Sequence, residues 1–230
     1  MRDKRLVLKA EGIWRSFQTG AGTLDVLKGV DLEIYQGEVV AIVGPSGSGK
    51  STLLNILGGL DRPSQGSVRL DSIDVFSLND KELAGFRNRT ISFIFQFHHL
   101  LPEFSALENV MLPGYIAREN LKTTKDKALK MLDEVGLSER VEHKPGELSG
   151  GEQQRVAVAR ALINEPTIIF ADEPSGNLDK NMAESLHNLI TGLNRNKEQT
   201  FIIATHNFEL AQRAQRILRL EGGKIEPYKI

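Results

Sequence analysis

Residues 39–52 have the sequence VVAIVGPSGSGKST. The first five of them, Val39 to Val43, are apolar and mostly β-branched, which is typical of a parallel strand buried on both faces. After Lys50, leucine and isoleucine recur at helical spacing. The glycine-rich loop in the middle is therefore predicted to join a buried strand to a helix.

This loop matches the pattern G-x-x-x-x-G-K-[ST] from Gly44 to Ser51. Glycines let backbone N–H groups approach phosphate oxygens, and the helix that follows points its positive N-terminal end at the same anion. Lys50 adds positive charge for the β- and γ-phosphates, and the Ser51 hydroxyl is a Mg²⁺ ligand. The alternative is a glycine-rich turn that matches by accident, but the flanking strand and helix favour binding of ATP and Mg²⁺. The residues predicted to contact ATP here are Gly44, Pro45, Ser46, Gly47, Ser48, Gly49, Lys50, Ser51 and Thr52.

The bulk composition excludes several classes of function. The chain has 230 residues, 40% of them hydrophobic, which suits one core or one core with an inserted sub-domain. A formal net charge of -1 gives no support for a nucleic-acid partner. The lack of cysteine excludes disulfides, thiolate metal sites and a cysteine nucleophile. We expect no signal peptide and no membrane helix, because no apolar run approaches the ~18 residues that a span requires.

Other apolar runs predict an α/β fold. Residues 6–35 are expected to form short β segments with a turn near residues 19–22. Residues 167–171 and 200–204 are predicted to be buried strands with a helix between them. Strand–helix–strand order favours a parallel sheet covered by helices.

The middle and the end of the chain differ in character from this core. Residues 97–150 are predicted to form a mostly helical insert. One helix there is expected to begin at an N-cap, Thr124, and to end at a C-cap, Gly136. Residues 218–230 are predicted to form a small hairpin around Gly222 and Gly223.

Two carboxylates, Asp172 and Glu173, follow the predicted strand 167–171 directly. The carboxyl ends of parallel strands are where α/β sheets bind ligands. Asp172 is therefore predicted to hold Mg²⁺ through its water shell, and Glu173 to act as general base toward the attacking water. The alternative is a polar strand end that leads into a turn at Pro174.

A second candidate anion site lies at residues 148–155, LSGGEQQR. Ser149, Gly150 and Gly151 open a predicted helix, whose N-terminus attracts negative charge. One chain has no evident use for two such sites on one nucleotide, whereas two copies could each cap the phosphate bound by the other. The alternative is a serine N-cap with a glycine hinge.

In this order, the motifs resemble the ATP-binding subunits of ABC transporters over essentially the whole chain. The resemblance implies an α/β P-loop NTPase core with an N-terminal antiparallel β subdomain and an inserted α-helical subdomain. Residues 1–230 would then be a single nucleotide-binding domain, with the helical subdomain at 97–150. It also implies a homodimer, in which Ser149, Gly150 and Gly151 contact the other copy's ATP, and a pair of integral membrane permease subunits.

The same resemblance assigns roles to single residues. Gln96 matches the glutamine that senses Mg²⁺ and touches the membrane subunit, Glu173 the catalytic glutamate, and His206 the histidine near the γ-phosphate. With Lys50 these form the expected catalytic set, and Ser51, Gln96 and Asp172 form the expected metal set. Residues 175–179 match the D-loop, which runs across the dimer interface.

Two positions differ from the commonest form of the family pattern. Phe17 is the predicted adenine-stacking residue, although many relatives have tyrosine there and Trp14 is a nearby alternative. Asn207 follows the histidine where an aspartate is common, and we do not expect this change to abolish hydrolysis.

Residues 93–110, FIFQFHHLLPEFSALENV, are the most informative about the transported substrate. They are similar to the LolD family, the ATPase of the lipoprotein-releasing system of Gram-negative inner membranes. This implies a peripheral subunit on the cytoplasmic face of the inner membrane that powers lipoprotein release and contacts the membrane only through its partner. MacB-type efflux ATPases and FtsE-type regulators of a cell-wall hydrolase match residues 97–104 less closely and remain alternatives. The apolar residues of 97–104 are expected to be divided between partner contact and the helical core.

Overall fold

The computed structural model describes residues 5–20 and 22–229. An antiparallel sheet contains β1 (Leu6–Thr19), β2 (Gly22–Tyr35), β4 (Gln65–Leu70) and β5 (Ile73–Asp74), in the order β2-β1-β4-β5. The first two strands are far longer than the short segments predicted from the sequence. Register shifts interrupt their pairing at several points, and each shift breaks the alternation of polar and apolar residues on which the sequence prediction depends.

The second sheet has six strands in the order β10-β9-β3-β8-β7-β6. It contains β3 (Val39–Val43), β6 (Ile91–Phe95), β7 (Ile168–Asp172), β8 (Thr200–Ala204), β9 (Arg216–Glu221) and β10 (Lys224–Pro227). All neighbouring pairs are parallel except β9 and β10. That last pair is the hairpin predicted around Gly222 and Gly223, so the sequence prediction is confirmed.

Seven α-helices connect and cover the sheets within the described residues. They are α1 (Lys50–Leu57), α2 (Asp80–Thr90), α3 (Ala106–Ile116), α4 (Leu121–Glu134), α5 (Gly150–Leu162), α6 (Lys180–Lys197) and α7 (Phe208–Ala211). None of the helices in 5–20 and 22–229 has the length and apolar character needed to cross a membrane.

The predicted N-cap of α4 is wrong. The helix begins one turn earlier, where the Asn120 side chain accepts a hydrogen bond of 3.0 Å from the N–H of Lys122. Thr124 lies inside the helix, and its hydroxyl donates to the Asn120 carbonyl. The first turn is mostly polar, so the apolar spacing used for the prediction could not reveal it. At the other end the predicted C-cap is wrong by one residue: Val135 is the C-cap, and Gly136 follows it in the left-handed conformation with a φ of 75°.

Two apolar clusters cover the two faces of the six-stranded sheet. One lies between that sheet, α1 and the antiparallel sheet. The other lies on the opposite face and is built from α3, α4, α5 and α6. Residues 97–150 contain α3 and α4 and pack onto this second cluster, and their description as a separate subdomain stays a prediction.

Candidate active site

The phosphate loop follows β3 as predicted and folds around its own lysine. Lys50 is buried, and its Nζ donates to the carbonyl oxygens of Gly44 at 3.0 Å and Pro45 at 3.1 Å. Gly49 has a φ of 99°, and a Cβ there would lie 2.8 Å from Val26. A Cβ at Gly44 would overlap the Leu220 carbonyl. Glycine is therefore required at both positions by the packing around the loop, and at Gly49 by the left-handed backbone conformation as well.

Parallel pairing brings the predicted carboxylates to this loop. β7 and β8 are neighbours, with Asp172 opposite Ala204, so that Glu173 and His206 follow adjacent strand ends. A cleft of about 480 Å³ lies in front of these ends. Its lining consists of Val26, Ser46, Gly47, Gly49, Lys50, Ser51, Thr52, Gln96, Asp172, Glu173 and His206.

Asp172 carries an unsatisfied oxygen at the floor of the cleft. Its Oδ1 is buried and has no hydrogen-bond partner among the described residues, and the same is true of Ser48 Oγ. Burial raises the pKa of Asp172, while a hydrogen bond from Ser51 and the charge of Lys50 act against that rise. Unpaired oxygens beside phosphate-binding groups are the donor set that a hard cation such as Mg²⁺ prefers. The residues present therefore fit the predicted metal site.

Glu173 is held by the residues that follow β8. Its carboxylate accepts hydrogen bonds from the His206 N–H at 3.0 Å and from the Thr205 hydroxyl at 3.1 Å. His206 Nδ1 lies 2.8 Å from the same carboxylate, which can only accept, so Nδ1 is the protonated nitrogen. Glu173 also has a φ of 47°, uncommon for a residue with a side chain, so its placement is imposed by these contacts.

Gln96 reaches the cleft from the end of β6. Its Nε2 donates to Asn177 Oδ1 at 2.9 Å, and Asn177 Nδ2 donates to the Gln96 carbonyl at 3.3 Å. The predicted metal-sensing glutamine is thus joined to the predicted D-loop within one chain.

The remaining predicted residues lie away from the cleft. Ser149 caps α5 reciprocally with Glu152, and Gly150 and Gly151 form the first turn of that helix. Phe17 is exposed on β1, where the Arg15 guanidinium lies 4.5 Å from its ring centroid. The alternative residue, Trp14, is partly buried against Gly29. Neither aromatic residue lines the cleft, so adenine stacking by Phe17 stays a prediction.

Three residues at or near the site escaped the sequence analysis. Val26 lines the cleft but belongs to a strand of the other sheet, and nothing in its local sequence indicates this. Thr205 could have been considered, since a hydroxyl at the end of a buried strand beside His206 is well placed to bind Glu173. His98 contacts the Gly150 carbonyl across a separation of 52 residues, which only the folded chain shows.

Comparison with known proteins identifies the family. A model of the ABC transporter family matches residues 27–176. The chain is 54% identical over 219 residues to the lipoprotein-releasing system ATP-binding protein LolD of Cytophaga hutchinsonii, covering 95% of this chain and 98% of that one. It is also 54% identical to the LolD of Bacteroides fragilis, covering 95% and 100%. The chain belongs to the LolD family of ABC transporter ATP-binding proteins.

A solved structure of the same fold supports the assignment of chemistry. The dimeric post-hydrolysis state of the ATP-binding cassette MJ0796, bound to ADP and Pi, superposes with a TM-score of 0.88 at 40% identity, covering 96% of this chain and 98% of that chain. The predicted fold class, with its antiparallel and parallel sheets, is confirmed. The chain is an ABC transporter ATPase, as its motifs predicted.

The unsatisfied Asp172 oxygen leads to a stability prediction. A raised carboxyl pKa means that the ionised form is disfavoured in the folded state, so stability is lost above the folded pKa and recovered below the ordinary value of 3.8. We expect Asp172→Asn, without nucleotide or metal, to raise Tm at pH 7.5 by about 2 °C, a modest gain because the carboxyl is partly solvated.

The same variant should respond less to Mg²⁺-ATP, because the neutral amide does not supply the negative charge that the Asp172 carboxylate offers to Mg²⁺. Differential scanning fluorimetry with and without Mg²⁺-ATP measures both effects. Asp126→Asn, at an exposed position of α4, is the matched control and should change neither the Tm nor the response to Mg²⁺-ATP. A lower Tm for Asp172→Asn, or an undiminished Mg²⁺ response, would contradict the assignment.

Proposed function

We propose that this chain is the ATP-hydrolysing subunit of a membrane complex that releases lipoproteins from the inner membrane toward the outer membrane. The observation that carries the hydrolytic part is the Glu173 carboxylate, fixed by Thr205 and His206 at the rim of a cleft that also contains Lys50. The transport part rests on the high identity, over nearly the whole chain, to proteins named for lipoprotein release.

Each catalytic side chain has a separate task in this proposal. Lys50 exchanges its loop carbonyl partners for the β- and γ-phosphates when ATP enters. Asp172, Ser51 and Gln96 would hold Mg²⁺, which would offset the negative charge of the phosphates. Glu173 orients the attacking water and accepts its proton. His206 keeps Glu173 in place through Nδ1–H, and with a second proton on Nε2 it donates to the γ-phosphate.

A second copy of the chain completes the site. Ser149, Gly150 and Gly151 lie outside the cleft of their own chain and stand at a helix N-terminus, where an anion is stabilised. We propose that they cap the γ-phosphate held by the other copy, in a homodimer that closes on two ATP molecules. Phe17 is proposed to stack on adenine, since its ring is partly exposed and the Arg15 guanidinium lies over one face only.

The segment after Gln96 is the proposed contact with the permease. Phe97 is 64% exposed and Leu101 is 42% exposed, while Leu100 packs against the helical core. These exposures are consistent with the prediction that some apolar residues of 97–104 contact a partner and others pack in the helical core. We propose that Phe97 and Leu101 bind an integral membrane permease of LolC/LolE type, which places the chain peripherally on the cytoplasmic face of the inner membrane. Nucleic acid has no role in this proposal.

Reconstitution tests the transport function. The chain is co-purified with its permease, placed in proteoliposomes loaded with an acylated lipoprotein, and supplied with ATP. We expect ATP-dependent release of the lipoprotein to a soluble acceptor, and none with Lys50→Ala. Phe97→Asp should reduce co-purification at least tenfold and leave the ATPase activity of the isolated chain within about twofold, because the loss is confined to an exposed apolar contact. Export of small amphiphiles, or activation of a cell-wall hydrolase without release, would instead identify an efflux or regulatory ATPase.

A further inference from the structure

The segment from Phe95 to His99 is fastened to α5 by three side chains. His98 Nε2 lies 2.9 Å from the Gly150 carbonyl oxygen at the start of the helix. Gln154, almost fully buried, donates to the Phe95 carbonyl at 3.2 Å. Farther along the helix, Arg160 donates to the carbonyl oxygens of His98 and His99, both at 2.7 Å. The segment and the helix are therefore connected along more than two helical turns.

The contact at Gly150 is the one that reaches the proposed signature. A carbonyl oxygen only accepts hydrogen bonds, so His98 Nε2 must be the donor. The carbonyl has two lone pairs, which lets it serve the helix and His98 together. The side chains of Ser149 and Glu152 accept hydrogen bonds from each other's backbone N–H groups in this turn. The His98 side chain donates to the Gly150 carbonyl of the same turn.

The two ends of this connection belong to two different ATP sites. Gln96 lines the cleft that binds ATP in the same chain, whereas Ser149, Gly150 and Gly151 are proposed to bind ATP in the other copy. Because His98 is two residues from Gln96 and hydrogen-bonded to Gly150, one short path connects Gln96 with the signature. Phe97, the exposed residue of the proposed permease contact, lies between them.

We propose that His98 is a positioning residue that holds the signature, Ser149 to Gly151, in register with the segment after Gln96, so that both move together onto the second copy's ATP. This inference rests on the proposed capping role of the signature. It adds a residue that acts through Gly150 and touches neither ATP nor the metal.

The neighbouring histidine provides a matched comparison. His99 meets the Phe95 ring edge-on, with ring centroids 5.2 Å apart, and has a φ of 48°. Asparagine tolerates that backbone conformation, so His99→Asn removes the imidazole without imposing strain. His98→Gln keeps an amide N–H that can donate to Gly150, whereas His98→Ala removes the donor.

The test uses the purified full chain. ATPase activity is measured at saturating Mg²⁺-ATP over a range of protein concentrations. Dimer formation with ATP is measured by light scattering in variants that also carry Glu173→Gln. We expect His98→Ala to raise the protein concentration for half-maximal dimerisation about tenfold, the effect of one lost hydrogen bond. ATP affinity of the monomer should stay within twofold, since His98 does not line the cleft. His98→Gln should restore dimerisation to within about threefold, and His99→Asn should resemble the wild type.

A fourth variant separates this inference from the proposed function. Ser149→Glu places a negative charge where the signature is proposed to face phosphate, and it should prevent dimerisation. If Ser149→Glu prevents the dimer and His98→Ala forms it normally, the positioning role is overturned and the capping role stands. If Ser149→Glu dimerises normally, the capping role itself fails. Equal losses in His98→Ala and His98→Gln, with equal losses in Tm, would reduce His98 to a packing residue.

Discussion

Glu173→Gln should lower the ATPase kcat about a thousandfold and leave ATP binding intact, since loss of a general base typically costs 10²- to 10⁴-fold. Glutamine has the same shape, and its one carbonyl oxygen, in the place of Oε2, can still accept from the Thr205 hydroxyl and from the His206 N–H, which lies 3.2 Å from that atom. It cannot take the proton of the attacking water. ATP therefore stays bound and unhydrolysed, and the proposed homodimer should accumulate in its closed form.

Steady-state phosphate release and light scattering in the presence of Mg²⁺-ATP measure the two outcomes. Glu184→Gln is the matched control, because that carboxylate pairs with Arg213 on the surface of α6 and should leave kcat within twofold. Normal turnover in Glu173→Gln would remove Glu173 as the base. A simultaneous loss of ATP affinity would show that the carboxylate acts on binding as well.

Lys50→Ala should weaken ATP binding at least a hundredfold. The lysine is buried beneath the loop, so a phosphate there would interact with its charge through little water. The alanine variant also loses the two hydrogen bonds that Nζ donates to Gly44 and Pro45, which leaves the loop less ordered before ATP arrives. Finally, Asp172 loses the nearby positive charge that favours its ionised form.

Isothermal titration with ATP and with ADP measures this prediction. ADP affinity should fall less than ATP affinity, since only ATP supplies a γ-phosphate to Lys50. Lys130→Ala, an exposed lysine on α4, controls for loss of positive charge alone and should bind normally. Unchanged ATP affinity in Lys50→Ala would contradict the assignment of the phosphate loop.

The parts of the fold that were predicted correctly are those whose conformation depends on residues close together in the sequence. β3, the loop and α1 are contiguous, and their apolar pattern and glycines specify each conformation without help from distant residues. Strand β8 was predicted with its observed limits, because five apolar or β-branched residues stand between polar neighbours. The predictions of the α4 N-cap and of the lengths of β1 and β2 were wrong. A polar first turn in α4 and register shifts between β1 and β2 hid the periodicity of apolar residues.

The resemblance to a family identified more site residues than the local sequence pattern alone could. It named His206 and Glu173, which are separated by 33 positions, and the structure puts them in contact. Their contact follows from the register of β7 against β8, a property of the assembled sheet. It also named Phe17, whose side chain the structure leaves exposed and outside the cleft.

Three features could be predicted without a structure, because each depends on residues adjacent along the chain. They are a phosphate-binding strand–loop–helix, two carboxylates after a buried strand and a second glycine-rich helix start. The contacts between residues far apart in the sequence became known from the folded chain. Val26 enters the cleft from another sheet, and His98 reaches Gly150 across 52 positions. Such contacts depend on strand order and helix packing, which bring side chains from distant parts of the chain together without leaving a local signal in either part.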